Sequence, residues 1–154
     1  MFVVVDSGIL LRLLEPSDPQ HGVIRGAVRM LRSRGDILVT AAQNAAEFWN
    51  VCTRPATARG GFGLSIPDAD RRLRVAERLF HVLPDGPAAY QAWRGLLVAH
   101  AVRGVQVHDA RLVALMQING ITHILTLNGS DFTRYTGIVP IAPTSLWPPP
   151  QAAP

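Results

Sequence analysis

The chain has 154 residues, 48% hydrophobic and 17% charged; it is long enough to bury a core without disulfides or structural metal, and too apolar to be disordered. Its formal net charge is +4, and all fifteen basic residues are arginines, so a P-loop nucleotidase and Schiff-base chemistry, which both need a lysine, are excluded. The lone Cys52 excludes an internal disulfide and points to a reducing, cytoplasmic setting.

Phe2-Val3-Val4-Val5 reads as a strand buried on both faces of a parallel sheet. It stops at Asp6, and Ser7-Gly8 turns the chain into the apolar run Ile9 to Leu14. After the turn Pro16-Ser17-Asp18-Pro19, residues 21–34 read as a helix, with Val23, Ala27, Met30 and Leu31 at helical spacing and Arg25, Arg29 and Arg32 as an exposed stripe. Ile37 to Thr40 is a second short buried strand. Ala41 to Arg54 is a helix ended by Pro55, which disfavours helical backbone in the residue before it. Residues 57–63 carry three glycines in four positions and are expected to be the floppiest stretch.

A further helix opens at Ser65 or Ile66, with Pro67 in its first turn, and runs to about Phe80. Val82-Leu83-Pro84 is a short strand or edge, and residues 86–102 are helical with Tyr90, Trp93, Leu97 and Ala101 facing inward. Val105 to Asn119 is the next helix, closed by Asn119-Gly120. Residues 123–127 form a strand, Asn128 to Phe132 the loop after it, and Ile138 to Ile141 a last strand. One domain spans 1–145, and the proline-rich end, 146–154, is expected to be mobile. Strands alternating with helices give an α/β fold with a central, mainly parallel sheet. No apolar run approaches a membrane span, and no secretory leader is expected before a strand that meets Asp6 so early.

Four of the eleven acidic residues sit where a solvated surface role is awkward. Asp6 ends the first strand, although it also suits the cap of the next helix. Glu47 lies among small and aromatic residues in Ala45-Ala46-Glu47-Phe48-Trp49. Asp109 begins a helix that continues with Ala110, Leu112 and Val113, and Asp131 follows the strand 123–127. Ligands of open α/β sheets sit beyond the carboxyl ends of the strands, where three of these acids fall. Carboxylates clustered without lysine repel one another, and a hard divalent cation with oxygen ligands is the usual resolution.

Asp6-Ser7 after a buried strand, Glu47 in Glu-Phe-Trp-Asn-Val-Cys-Thr-Arg-Pro, His-Asp-Ala-Arg-Leu at 108–112 and Leu-Thr-Leu-Asn-Gly-Ser-Asp-Phe at 125–132 together resemble the PIN-domain ribonucleases, and within them the VapC toxins of bacterial toxin–antitoxin pairs. The resemblance runs from about Phe2 to Ile141. It implies a PIN-like three-layer sandwich. It also implies Asp6, Glu47, Asp109 and Asp131 as the catalytic, metal-binding set for Mg²⁺ or Mn²⁺, with Ser7, Thr126 and Asn128 as supporting polar residues. The activity implied is endonucleolytic cleavage of RNA to 5′-phosphate and 3′-hydroxyl ends; the partners implied are a small VapB-like antitoxin and a second copy in a homodimer. His108 departs from the small or apolar residue more usual before the third acid, and the last loop has Asn128 and a single Asp131 where some members add a carboxylate.

Arg54, Arg59 and Arg111 flank the acids and the glycine-rich loop and are the candidate RNA contacts. Exposed apolar residues near Leu11, Leu14 and Val23 are expected to hold an antitoxin segment. Cys52 reads as a small core residue, and Trp49, Trp93 and Trp147 as core or interface rather than base-stacking platforms. Two other functions are weighed: a PIN-like domain that binds RNA without turnover, and an Asp-dependent phosphatase. The phosphatase would need a second Asp where Gly8 stands, and a Lys.

Overall fold

The computed structural model describes residues 1–147; the predicted tail beyond Trp147 lies outside the described residues. In chain order the elements are β1 (Phe2–Val5), α1 (Ser7–Leu13), α2 (His21–Ser33), β2 (Ile37–Ala41), α3 (Ala42–Thr53), α4 (Ile66–Leu79), β3 (His81–Leu83), α5 (Pro87–Ala99), α6 (Gln106–Ile118), β4 (His123–Leu125), a single 3₁₀ turn (Gly129–Phe132), β5 (Val139–Ile141) and α7 (Pro143–Leu146). The strands form one sheet in the order β3-β2-β1-β4-β5. Every pairing in it is parallel.

The valine run earns its central place by being apolar on both sides. Val3, Val4 and Val5 are fully buried, and the period-two alternation of a strand splits them between two cores. Val4 packs with Val39, Ile124 and residues of α5 and α6, such as Leu96 and Val113. Val3 and Val5 pack with Ile9, Leu10, Ile24, Leu31 and Phe48 from α1, α2 and α3. The result is the expected three-layer sandwich. From β1 the chain builds outward to β2 and β3, then returns to add β4 and β5 on the other side. The order therefore reverses between β1 and β4, where a parallel α/β sheet opens a cleft at its carboxyl edge.

Several local expectations are corrected. Strand β4 ends at Leu125 rather than Leu127; Thr126 turns away, but its N–H still bonds the Ile141 carbonyl at 3.1 Å. The stretch 57–63 is not loose. It folds back on the end of α3, with the N–H groups of Phe62, Gly63 and Leu64 donating to the carbonyls of Val51, Arg54 and Cys52. A Cβ on Gly61 would lie 2.3 Å from the Pro55 carbonyl oxygen, so these glycines permit close packing rather than motion.

The inward face of α5 holds two of the predicted residues, Trp93 and Leu97, which pack half-buried against the first core, but not Tyr90 or Ala101. Ala89 and Leu96 are its buried residues, Tyr90 is 57% exposed, and the helix ends before Ala101, which takes a left-handed φ of 47°. At the carboxyl end Leu146 packs half-buried against the second core, and the Trp147 ring lies over Gly26, where a Cβ would come within 2.2 Å of it. Among the described residues no helix is long and apolar enough to cross a membrane.

Candidate active site

Asp6 leaves β1 with its backbone N–H bonded to the Leu125 carbonyl of β4 at 3.1 Å. It is at once the cap of α1 and a residue of the cleft. Its Oδ1 accepts from the Ser7 N–H at 2.7 Å, and its Oδ2 accepts from the Thr126 hydroxyl at 2.7 Å. Thr126 is 1% exposed and in turn accepts the Asn128 N–H at 3.1 Å. Asn128 thus supports the site through its backbone.

The Ser7 hydroxyl donates to Glu47 Oε2 at 2.6 Å and stands 3.4 Å from Asp6 Oδ1. With one proton to give, it serves the shorter contact and holds the two acids side by side. The other Glu47 oxygen accepts from Gln43 Nε2 at 2.8 Å, and the same nitrogen donates to the His108 carbonyl at 3.0 Å. Gln43 therefore ties Glu47 of α3 to the first turn of α6, where Asp109 lies.

The charges of the four acids act on one another. Burial raises Asp6 above the ordinary carboxylate range, hydrogen bonds from Thr126 and Ser7 oppose that, and Glu47 adds to it. Asp109 is raised from 3.8 to about 6, first by burial and then by the charges of Asp131, Asp6 and Glu47, with His108 opposing. Asp131 sits exposed in the 3₁₀ turn, held by its N–H to the Asn128 carbonyl at 3.1 Å. Among the described residues none of the four carboxylates is in an ion pair. Nor do any three His, Cys, Asp or Glu side chains stand close enough together to hold a metal ion as placed.

The candidate RNA arginines lie further out. Arg54 Nη1 donates to the Arg59 carbonyl at 2.9 Å, seven residues or about 10 Å along the α3 axis from Glu47. Arg111 pairs with Asp85 at 2.8 Å and, with the exposed His108 that precedes Asp109, lines a cleft of about 540 Å³ to which none of the four acids contributes.

Sequence reasoning passed over three residues of this frame. Gln43 is one. Thr40 and Asn44 are the others: both are buried, and both donate to the Val5 carbonyl, at 3.0 and 2.8 Å, fixing the strand end that carries Asp6. The available signal was two amides among alanines one helical turn before Glu47, with Thr40 four residues before Asn44.

A parallel α/β sheet with Asp6 at its switch point, tied to Glu47 through Ser7, defines a class of α/β domains with an acidic carboxyl edge. The PIN domain family model matches residues 3–138, and the chain belongs to that family. No curated protein matches it. Among solved structures it is similar to VapBC2 from Rickettsia felis bound to promoter DNA, with a TM-score of 0.66 at 10% identity, covering 92% of this chain and 98% of that one. It is similar to VapBC-1 from nontypeable Haemophilus influenzae, with a TM-score of 0.63 at 16% identity over 94% and 99%. The sarcin-ricin loop cleaving toxin VapC20 of Mycobacterium tuberculosis gives a TM-score of 0.56 at 22% identity over 79% and 86%.

Proposed function

We propose that this chain is a divalent-metal-dependent endoribonuclease, the toxin of a toxin–antitoxin pair. The observation that supports the reading is that the charges of Asp131, Asp6 and Glu47 all act on Asp109, while among the described residues none of the four carboxylates is in an ion pair. Carboxylate oxygens suit a hard cation such as Mg²⁺ or Mn²⁺, and these four residues would hold it. Beside them the Gln43 amide oxygen is buried without a hydrogen-bond donor, which fits a site completed by a hydrated ion. When bound, such an ion activates water and offsets charge on a scissile phosphate.

The protein's own groups prepare that chemistry. Ser7 fixes the spacing of Asp6 and Glu47, Thr126 fixes the second oxygen of Asp6, and Gln43 aligns α3 with α6. Burial raises Asp109 most, and the charges of Asp131, Asp6 and Glu47 add to it; that second part is relieved by any cation placed among the acids. Arg54, Arg59 and Arg111 hold the RNA backbone, and His108 faces the scissile phosphate. Cleavage leaves 5′-phosphate and 3′-hydroxyl ends.

The fold shared with VapBC complexes supports a small VapB-like antitoxin as partner; the proposal further takes the toxin as a homodimer acting in the cytoplasm. Leu11 and Leu14 are half-buried against the second core. The antitoxin is therefore assigned to the apolar groove of about 230 Å³ that includes Val23, Ile24, Leu127 and Pro143.

The test is cleavage of a panel of structured and single-stranded RNAs with Mg²⁺, with Mn²⁺ and with EDTA. Cleavage that needs the metal and is lost in Asp6→Asn and Asp109→Asn supports the reading; undiminished cleavage by either variant refutes their role. A second reading, RNA binding without turnover, draws on the spacing of the acids, no three of which converge on one point among the described residues. Salt-sensitive RNA binding with no metal-dependent cleavage would favour it.

A further inference from the structure

The cleft that Arg111 and His108 line has a wall that phosphodiester chemistry does not need. Tyr90 is 57% exposed, and its ring lies 5.9 Å from that of Trp93 at an interplanar angle of 48°. Trp93 is held in place because its indole N–H donates to the Val107 carbonyl at 2.9 Å. His108 and Arg111 line the same cleft, as does Asp85, which pairs with Arg111 at 2.8 Å. Anchoring leaves further guanidinium N–H groups free to donate. Successive residues of a helix step about 100° around its axis, so His108 lines this cleft while Asp109 is turned toward the other acids. Gln43 braces that shared wall from the side of Glu47.

We propose that this cleft is a nucleobase subsite: the base next to the scissile bond stacks on the Tyr90–Trp93 wall while Arg111 and His108 hold its phosphate. The inference rests on the ribonuclease reading and adds the recognition element to it. A volume of about 540 Å³ lies in the range of small-ligand pockets, enough for one nucleotide. A half-exposed tyrosine packed on a fixed tryptophan is the kind of rigid aromatic surface on which single-stranded bases stack. The guanidinium N–H groups of Arg111 not taken by Asp85 are donors of the kind a phosphate accepts from.

The test uses the full chain in EDTA, which separates binding from cleavage. The probes are a short single-stranded RNA and the same ribose-phosphate backbone with its bases removed. The expected result is a preference of about tenfold for the base-bearing oligomer, the effect of stacking one base, with a shift of the Trp93 indole N–H resonance. Tyr90→Ala should abolish the preference, and Tyr90→Phe should keep it. Equal binding of the two oligomers, or a preference unchanged in Tyr90→Ala, overturns the subsite. So does a Tyr90→Ala effect confined to self-association or protein-partner binding, which would assign the cleft to a protein. Metal-dependent cleavage without base preference overturns the subsite alone; base preference without cleavage overturns the nuclease reading and leaves the subsite standing.

Discussion

Replacing Asp109 by Asn should make the protein more stable and less active at once. The folded carboxyl keeps its proton up to about pH 6, whereas in the unfolded chain it ionises near 3.8. Between those values the folded state binds more protons than the unfolded one, so the unfolding free energy falls as pH rises. Above about 6 the whole penalty is present. Moving a carboxyl from 3.8 to about 6 is equivalent to about 3 kcal/mol at most. The group is only partly buried, and solvent screening brings the figure to about 1–1.5 kcal/mol. For a domain of this size that is a rise in Tm of about 3–5 °C at pH 8. The assay is thermal unfolding of wild type and Asp109→Asn in EDTA at pH 4 and pH 8. The two should nearly coincide at pH 4 and separate at pH 8, the variant being the more stable. Added Mg²⁺ should raise the Tm of wild type by mass action and that of the variant far less. A variant equal to or less stable than wild type at pH 8 would refute the account of the clustered charges.

Ser7→Ala removes the hydroxyl that bridges Asp6 and Glu47; RNA cleavage should fall about ten- to a hundredfold, as for other groups that orient metal ligands, with little change in Tm. Asn44→Ala takes one of two donors from the Val5 carbonyl. Because Asn44 Oδ1 already lacks a partner, the loss should stay near about 1 kcal/mol, read by urea denaturation. Gly26→Ala puts a methyl where the Trp147 ring sits; tryptophan emission should shift to the red, with a loss of about 1 kcal/mol. If Arg54, Arg59 and Arg111 contact phosphates, their combined replacement by Ala should flatten the salt dependence of RNA affinity by about three in log–log slope.

Much of the fold was legible because the sheet is buried on both faces. A run such as Val3-Val4-Val5 has no competing use outside a sheet interior, and Pro55, Pro67 and Gly120 mark the helix ends as their backbone restrictions require. The acids stood out as candidates for the same reason: carboxylates set against apolar runs are out of place unless something else needs them. What stayed hidden depends on contacts between distant segments. Glycines at 60, 61 and 63 carry no side-chain signal separating a loose loop from one packed against a helix end, and only the carbonyls of α3 decide it. On α5 Trp93 and Leu97 pack inward as read, but Tyr90 does not; the small Ala89 took the buried position, and the ring was left for the cleft. Gln43 and Asn44 were missed because an amide in a helix looks like surface until its partner on another segment is known.

The hydrogen bond between Thr126 and Asp6 joins residues 120 positions apart, and β1 gains β4 as its second neighbour only through that same late segment. A ribosome that stalls, or a message cut short, before residue 123 therefore releases a product with an open-edged central strand and an Asp6 without its Thr126 partner. The chain carries a built-in delay: the hydrogen bond that fixes Asp6 forms only with the last quarter of its length, after most of the scaffold has been made.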